Sequence, residues 1–232
     1  MLASDAMVPI IAIVIVVFIA LAIYGAMAAK KRRQALAAWA QANGLRFDPS
    51  NDAALDERYP QFKCLRQGDD RYGYDRIFGQ WKGRELLGFD YHYETHSTDS
   101  KGHRTTHHHH FSAVIVGADV PLKPLLIRPE GLFDKVAEFF GADDVDFESA
   151  EFSRKFFVKA DDRRWAYDVI HQRTMEFLLA SPVFTIQFDT SSAIAFRDGC
   201  FSAEQFQQAA EVIAGLLERL PNYLVRQQTQ GA

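Results

Sequence analysis

Residues 71–117 decide the fold; they read RYGYDRIFGQWKGRELLGFDYHYETHSTDSKGHRTTHHHHFSAVIVG. Apolar and polar side chains alternate along much of this stretch, which is the pattern of β-strands with one buried face. Lys82-Gly83 has the composition of a two-residue hairpin turn, and residues 97–106 suit a second, longer turn. The stretch therefore predicts a three-stranded antiparallel meander.

The two turns also predict how the three strands pair. Both registers place the aromatic side chains on one face, and a slip of one residue in either hairpin would break that agreement. The predicted pairs are Phe78–Leu87, Tyr74–Tyr91, Tyr93–Phe111 and Phe89–Ile115. The predicted face consists of Tyr72, Tyr74, Phe78, Leu87, Phe89, Tyr91, Tyr93, Phe111, Ala113 and Ile115.

Beyond the meander, the pattern changes to short strands and helices. Prolines in residues 120–130 predict an edge strand, and residues 183–197 predict a further hairpin. A helix is expected from Asp162 to about Ala180, and the last helix starts at a capping box of Ser202 and Gln205. The other predicted elements are a helix at 131–140 and strands at 145–147 and 156–159. This mixture indicates an α+β fold.

An uncharged apolar stretch precedes the meander: residues 8–29 read VPIIAIVIVVFIALAIYGAMAA. As a helix it is ~33 Å long, enough for the ~30 Å hydrocarbon core of a bilayer. The cations Lys30, Lys31, Arg32 and Arg33 follow directly, and by the positive-inside rule they stay in the cytoplasm. A cleaved signal peptide would instead carry its charge before a shorter apolar region. The expectation is a single-pass inner-membrane protein with its N-terminus outside.

The predicted organisation follows from that span. The fold class is α+β, with an N-terminal transmembrane helix followed by a cytoplasmic domain that contains an antiparallel β-meander and packed helices. Leu36, Trp39 and Ala40 have helical spacing and are expected to dock the stalk on this domain. The parts are a short extracytoplasmic N-terminus (1–7), the transmembrane helix (8–29), a basic juxtamembrane stalk helix (30–44), the cytoplasmic domain (45–226, with a subdivision near 141–150 as an alternative) and a flexible tail (227–232).

Charge and cysteine content limit the partners. The net charge is −4, and from residue 34 onward 22 cations face 29 anions. An acidic domain argues against nucleic acid as a partner. The basic collar of residues 30–33 would face anionic lipid headgroups or serve orientation alone. Cys64 and Cys200 lie far apart without a CxxC motif, so reduced, packed thiols are expected.

Seven of the eight histidines lie between residues 92 and 110. In the predicted register, Glu94 stands across from His110 and His96 across from His108, on the face opposite the aromatics. Imidazoles on paired strands can converge on zinc or another divalent metal. The alternatives are a solvated polar face that binds metal only adventitiously, and a pH response, since the imidazole pKa is about 6.5. The candidate ligands are His92, Glu94, His96, His108 and His110.

The chain lacks the common catalytic and nucleotide-binding motifs, including the phosphate loop, GxSxG, HExxH and GxGxxG. It resembles an uncharacterised family of bacterial single-span membrane proteins in the order of an N-terminal span, FDYHYET (89–95), LLIRPE (125–130), VDFESAEFSRKFFV (145–158) and MEFLLASP (175–182). The resemblance implies the same single span. Because the family has no assigned activity, it implies no catalytic residues.

The expected function is that of a membrane-anchored, non-enzymatic interaction or accessory protein without a resident cofactor. Its expected partners are the lipid bilayer and another membrane protein, in a larger complex. One alternative is a metal- or pH-responsive module that uses the histidine face. The other is an enzyme with an unrecognised site, which a deep concave pocket lined by polar groups would favour.

Overall fold

The computed structural model describes residues 2–131 and 143–224, and it describes the side chains of residues 15–131 and 144–224. Its strands are β1 (Arg46–Asp48), β2 (Asp69–Trp81), β3 (Arg84–Thr98), β4 (Arg104–Pro129), β5 (Asp143–Asp144), β6 (Phe156–Ala160) and β7 (Thr185–Asp198). Its helices are α1 (Leu2–Ala42), α2 (Leu55–Arg58), α3 (Ala150–Lys155), α4 (Arg163–Val169), α5 (Gln172–Ala180) and α6 (Ala203–Glu218). A 3₁₀ turn spans Lys63–Arg66.

The described strands form one antiparallel sheet in the order β1-β2-β3-β4-β6-β5, and β7 also pairs with β4. Strand β4 is 26 residues long, so its two halves have different neighbours. The first half lies between β3 and β7, and the second half lies between β7 and β6. Thus β4 is the strand that joins the two regions of the sheet.

The predicted meander of β2, β3 and β4 is confirmed, and so is the pair Phe78–Leu87. Tyr74, however, lies opposite Asp90 and not Tyr91. The register shifts after Tyr74, where Asp75 has a φ of 48°. Because such an irregularity exchanges the two faces of a strand, Tyr72 and Tyr74 lie on the histidine side of the sheet and not on the aromatic side.

The second hairpin differs from its predicted register by two residues. Phe111 pairs with Tyr91 and not with Tyr93, and Phe89 pairs with Ala113 and not with Ile115. A shift of two residues leaves every side chain on its predicted face. The division of this hairpin into an aromatic face and a histidine face is therefore confirmed.

Three predicted elements downstream differ in form from the structure. Residues 120–129 are not an edge strand: they continue β4, and Pro121 and Pro124 fall at the interruptions of its pairing with β7. Residues 185–198 form one bent strand and not a hairpin, with Thr190 at a φ of 49° where the turn was expected. The predicted helix after Asp162 is divided, since α4 ends before Ile170 and α5 begins at Gln172.

Both faces of the sheet are covered, so two apolar cores form. The larger core lies between the sheet and the helices, where the C-terminal part of α1 contributes Leu36 and Ala40 and α6 contributes Phe206 and Ile213. The predicted docking of the stalk by Leu36 and Ala40 is confirmed, since both are at most 1% exposed. The smaller core contains Phe62 and its apolar neighbours from residues 55–65, with the aromatic face of β3 and β4.

The N-terminal helix corrects the predicted location of the protein. Within the part of the chain that the structure describes, no helix combines the length and the apolar composition needed to cross a bilayer. Described side chains begin at Ile15, and the apolar run from there to Ala29 is about 22 Å long, against a core of ~30 Å. Residues 8–14 of the predicted span lie outside the described side chains.

This finding contradicts the transmembrane helix over residues 8–29, the single-pass inner-membrane location and a fold class built on that span. The described architecture is instead a mostly antiparallel sheet with helices. The helix predicted at 131–140 lies almost entirely outside the described residues, as does the tail at 227–232.

Candidate metal centre

The histidine-rich segments form a two-stranded arm, defined here as residues 92–98 of β3 and 104–110 of β4. Successive side chains of a strand point to opposite faces, so alternate histidines separate. His107 and His109 lie on the aromatic side, where their ring nitrogens hydrogen bond to Ser97 and Thr95 at 2.9 and 2.8 Å. The opposite side of the arm carries the five candidate ligands.

The structure brings three of these candidates together: His92, Glu94 and His108. Their ligand atoms all lie within 4.8 Å of one another. His92 Nε2 is 3.2 Å from His108 Nδ1, and that nitrogen is 3.1 Å from Glu94 Oε1. Glu94 stands opposite His108 and not opposite His110, as the two-residue change of register requires.

His92 is the buried member of the cluster, at 4% exposure. Its Nδ1 lies 3.1 Å from the backbone carbonyl oxygen of Asp70, so this nitrogen carries the proton and donates it. That bond leaves the lone pair of Nε2 directed toward His108. A backbone carbonyl that orients an imidazole in this way is typical of the outer shell of protein metal sites.

The other two candidates lie beside the cluster. The His110 ring packs against His92 with centroids 4.9 Å apart, and its Nδ1 is 3.1 Å from the hydroxyl of Tyr74. Burial lowers the pKa of His110, and the neighbouring charges of His92, His108 and His109 lower it further. His96 forms its hydrogen bond with Thr106 and lies outside the three-residue cluster.

Carboxylates at the start of β2 surround the cluster with negative charge. Asp70 Oδ2 lies 3.9 Å from His92 Nδ1, and Asp69 Oδ2 lies 3.8 Å from His96 Nε2. Both aspartates are largely exposed. An acidic rim raises the local concentration of cations at the mouth of a site. Sequence reasoning missed these two residues, because their approach depends on the pairing of Asp69 with Glu94.

The same side of the sheet contacts the basic collar, residues 30–33. Its two lysines and its two arginines lie in different environments. Lys30 and Lys31 are exposed. Arg32 donates two hydrogen bonds to the fully buried Asp90, at 2.7 and 2.9 Å, and one to the carbonyl of Phe201 at 2.8 Å. The Nε of Arg33 lies 2.9 Å from a carboxylate oxygen of Asp75.

Asp90 is the centre of this second polar group. Burial raises its pKa, and the hydrogen bonds from Arg32 and Ser112 oppose that rise without offsetting it. Ser112 donates to Asp90 and accepts from the backbone N–H of Phe201 at 2.8 Å. Cys200, which directly precedes Phe201, is a free thiol, and partial burial raises the pKa of that thiol. The group fixes α1 and the segment that follows β7 on the sheet.

Comparison with known proteins adds a fold relationship. No family model matches the sequence, and no curated protein matches it either. Among solved structures, the chain is similar to the crystal structure of the mycobacterial trehalose monomycolate transport factor A, TtfA, with a TM-score of 0.60 and 12% sequence identity. The likeness covers 82% of this chain and 96% of that one. At this identity it shows a shared fold alone.

Proposed function

We propose that the protein is a metal-responsive module whose arm binds one divalent transition metal, with zinc as the reference ion. The observation that carries this proposal is the convergence of His92, Glu94 and His108, whose ligand atoms lie within 4.8 Å of one another. Two imidazoles and one carboxylate are ligands that zinc accepts, with a water in the remaining position.

The spacing within the cluster supports zinc. Zinc–nitrogen and zinc–oxygen bonds are ~2.0–2.1 Å long, so two ligand atoms of a tetrahedral site are about 3.3 Å apart. Two of the three separations, 3.2 and 3.1 Å, are close to that value, and all three are within 4.8 Å. His92 is already oriented by the carbonyl of Asp70, so this ligand needs little ordering when the ion binds.

Isothermal titration of the full chain with zinc chloride tests the proposal. One equivalent should bind with a Kd below about 1 mM, which corresponds to ~4 kcal/mol. Glu94→Gln and His108→Ala each remove one ligand and should weaken binding at least tenfold. His107→Ala is the matched control, because His107 is adjacent in sequence but lies on the opposite face.

The proposal fails if zinc does not bind in this range. It also fails if His107→Ala weakens binding as much as His108→Ala does, because the ion would then be held by exposed imidazoles in general. Thermal unfolding of each variant without metal identifies any change that comes from the fold. Binding of metal to the native state alone should raise the melting temperature of the wild-type chain.

We further propose a second candidate function, that of a non-enzymatic accessory protein in a larger assembly. What supports it is the architecture shared with TtfA, which is described as a transport factor. Such a role requires a protein partner, and partner identity does not follow from a fold. Chemical crosslinking in the native cells should give a discrete species larger than the chain. Recovery of the chain only as an uncrosslinked monomer would contradict this function.

A further inference from the structure

The aromatic side of the sheet contains an open cleft, which the metal proposal does not use. Its volume is about 600 Å³. This is within the range of ~300–1,000 Å³ that is typical of small-molecule sites. The floor belongs to β2, β3 and β4, and one wall is the segment from Arg58 to Gln61. His92 lies on the opposite side of β3, so the cleft and the metal cluster are separate.

The deeper part of the floor is apolar. Phe78 pairs with Leu87, and Leu87 pairs with Ile115, so three apolar side chains form one continuous row across three strands. Ile115 is buried, whereas Phe78 and Leu87 remain partly exposed to the cleft. This row therefore provides a surface on which the apolar part of a ligand can be buried.

The next row of the floor is polar. It contains Gln80, which pairs with Glu85, and Gly117, which pairs with Ser192. A Cβ atom at Gly117 would meet nothing closer than 3.5 Å, so the glycine leaves space between its polar neighbours. The lining of the cleft thus changes from apolar side chains to hydrogen-bonding side chains between one row and the next on the same face of the sheet.

The wall adds polar groups but little free charge. Arg58 and Arg76 both pair with Asp52, and Arg76 also pairs with Asp48. Their charges are therefore neutralised by groups outside the cleft. The Gln61 side-chain amide donates to the hydroxyl of Ser192 at 3.5 Å, and the Gln61 backbone carbonyl accepts a hydrogen bond from the buried Gln187 at 3.0 Å, so this wall is fixed beside the polar row.

From these contacts we propose that the cleft binds an amphipathic small molecule with an apolar body and an uncharged head rich in hydroxyl groups. The body lies on Phe78, Leu87 and Ile115. The head takes hydrogen bonds from Gln61, Gln80 and Ser192, and Glu85 accepts from it. An anionic head fits less well, because the arginines at the wall already have carboxylate partners and Glu85 would repel it.

The test uses hexyl β-D-glucoside as the probe, with glucose and hexanoate as partial ligands. The full chain carries ¹³C-labelled isoleucine and leucine methyl groups, and NMR follows the signals of Leu87 and Ile115 during titration. The glucoside should shift both signals saturably and bind at least tenfold more tightly than either partial ligand. Binding of hexanoate as tight as that of the glucoside would overturn the uncharged head. Absence of a saturable shift would overturn the site.

Gly117→Leu places a side chain in the cleft and should weaken glucoside binding at least tenfold. Gly25→Leu adds the same side chain in α1, where nothing lies within 4 Å, and should leave binding unchanged. If Gly117→Leu does not fold, Gln80→Ala in the polar row, where the side chain is exposed, replaces it. That change should weaken glucoside binding and leave hexanoate binding the same. Unchanged glucoside binding in both cleft variants would contradict the proposal.

Discussion

The guanidinium of Arg32 holds both carboxylate oxygens of Asp90, a residue 58 positions further along the chain, at 2.7 and 2.9 Å. Asp90 is completely buried, whereas the Arg32 side chain keeps 23% of its exposure. The pair ties α1 to the middle of β3. Since a buried carboxylate without its cation is costly, the position of α1 depends on this contact.

Replacement of Arg32 by alanine should destabilise the fold strongly. Arg32 donates two hydrogen bonds to Asp90, and the buried carboxylate would lose both of them. Loss of one member of a buried ion pair typically costs ~3–5 kcal/mol. Urea unfolding followed by circular dichroism measures the change in the free energy of unfolding.

Arg33→Ala is the comparison for that experiment, because the Arg33 side chain is 53% exposed and its buried partner Asp75 keeps Arg32 at 3.4 Å. Solvent screens the exposed guanidinium and Asp75 retains a second cation, so this change should cost less than Arg32→Ala. Equal losses for Arg32→Ala and Arg33→Ala would show that burial of Asp90 does not determine the cost.

Gly68→Ala should distort the arm beside the metal cluster. Gly68 has a φ of +58°, and a Cβ atom there would lie 2.0 Å from the carbonyl oxygen of Glu94. The backbone of β3 must therefore move where it carries a metal ligand. We expect a loss of stability above the ~1–2 kcal/mol of left-handed strain, together with weaker zinc binding.

Gly102→Ala separates the two causes of that loss. Gly102 has a φ of +85°, and nothing lies within 4 Å of a Cβ atom built there. It therefore carries the conformational strain without the collision. If the two alanine variants unfold at the same urea concentration and bind zinc equally, close contact with Glu94 is not the reason for the glycine.

Stability should depend on pH through Asp52. Burial alone would raise its pKa, but hydrogen bonds from Arg58 and Ala54 and the charge of Arg76 lower it below the ordinary value. A carboxyl group with a lowered pKa stabilises the fold above its unfolded pKa of ~3.9, and this contribution is lost as the pH falls through the folded value. Asp52→Asn should therefore be less stable than the wild type at pH 7, with the difference shrinking below pH 4.

The charge of Asp189 should affect stability in the opposite direction to that of Asp52. Burial raises its pKa, so its ionised form is less favourable in the folded chain than in the unfolded chain. Asp189→Asn should keep or increase stability at pH 7. Urea unfolding of both variants at pH 7, 5 and 3 checks the pair of expectations, which fails if the two substitutions change stability in the same direction at pH 7.

The capping box of α6 should contribute measurably to stability. The Ser202 hydroxyl accepts from the backbone N–H of Gln205 at 3.2 Å, and the Gln205 side chain accepts from the backbone N–H of Ser202 at 2.9 Å. Ser202→Ala should cost ~1 kcal/mol, whereas Ser202→Asn keeps an acceptor and should cost less. Thermal unfolding distinguishes them, and identical melting temperatures would exclude a role for the cap.

The sheet faces could be predicted from the sequence to a large extent, because the alternation of side chains depends only on neighbours along the strand. The pairing register could not, since a slip of two residues leaves every face unchanged. That is why His92, Glu94 and His108 were among the predicted ligands although Glu94 was assigned the wrong opposite residue. The two faces exchange at Asp75, which has a positive φ although it is not a glycine. The sequence therefore gives no sign of the exchange, and Tyr72 and Tyr74 were assigned to the wrong side.

The contacts that build the polar groups join distant parts of the chain. Arg32 belongs to a basic run whose pattern predicted membrane orientation or lipid contact, and nothing in that pattern indicates a buried Asp90. The orientation of His92 by Asp70 likewise depends on the start of β2, which lies beyond the irregularity at Asp75. The cleft was also not foreseen, because it depends on Gly117 and Ser192 meeting across β4 and β7.

The length of β4 has a consequence for how quickly the protein reaches its native state. Both regions of the sheet share this one strand, and its partner β7 is synthesised much later. Loop closure between β4 and β7 must precede the contacts between these two strands, which slows the search for the native topology. Refolding should therefore be slow, with the local β2–β4 meander becoming protected from hydrogen exchange before β7.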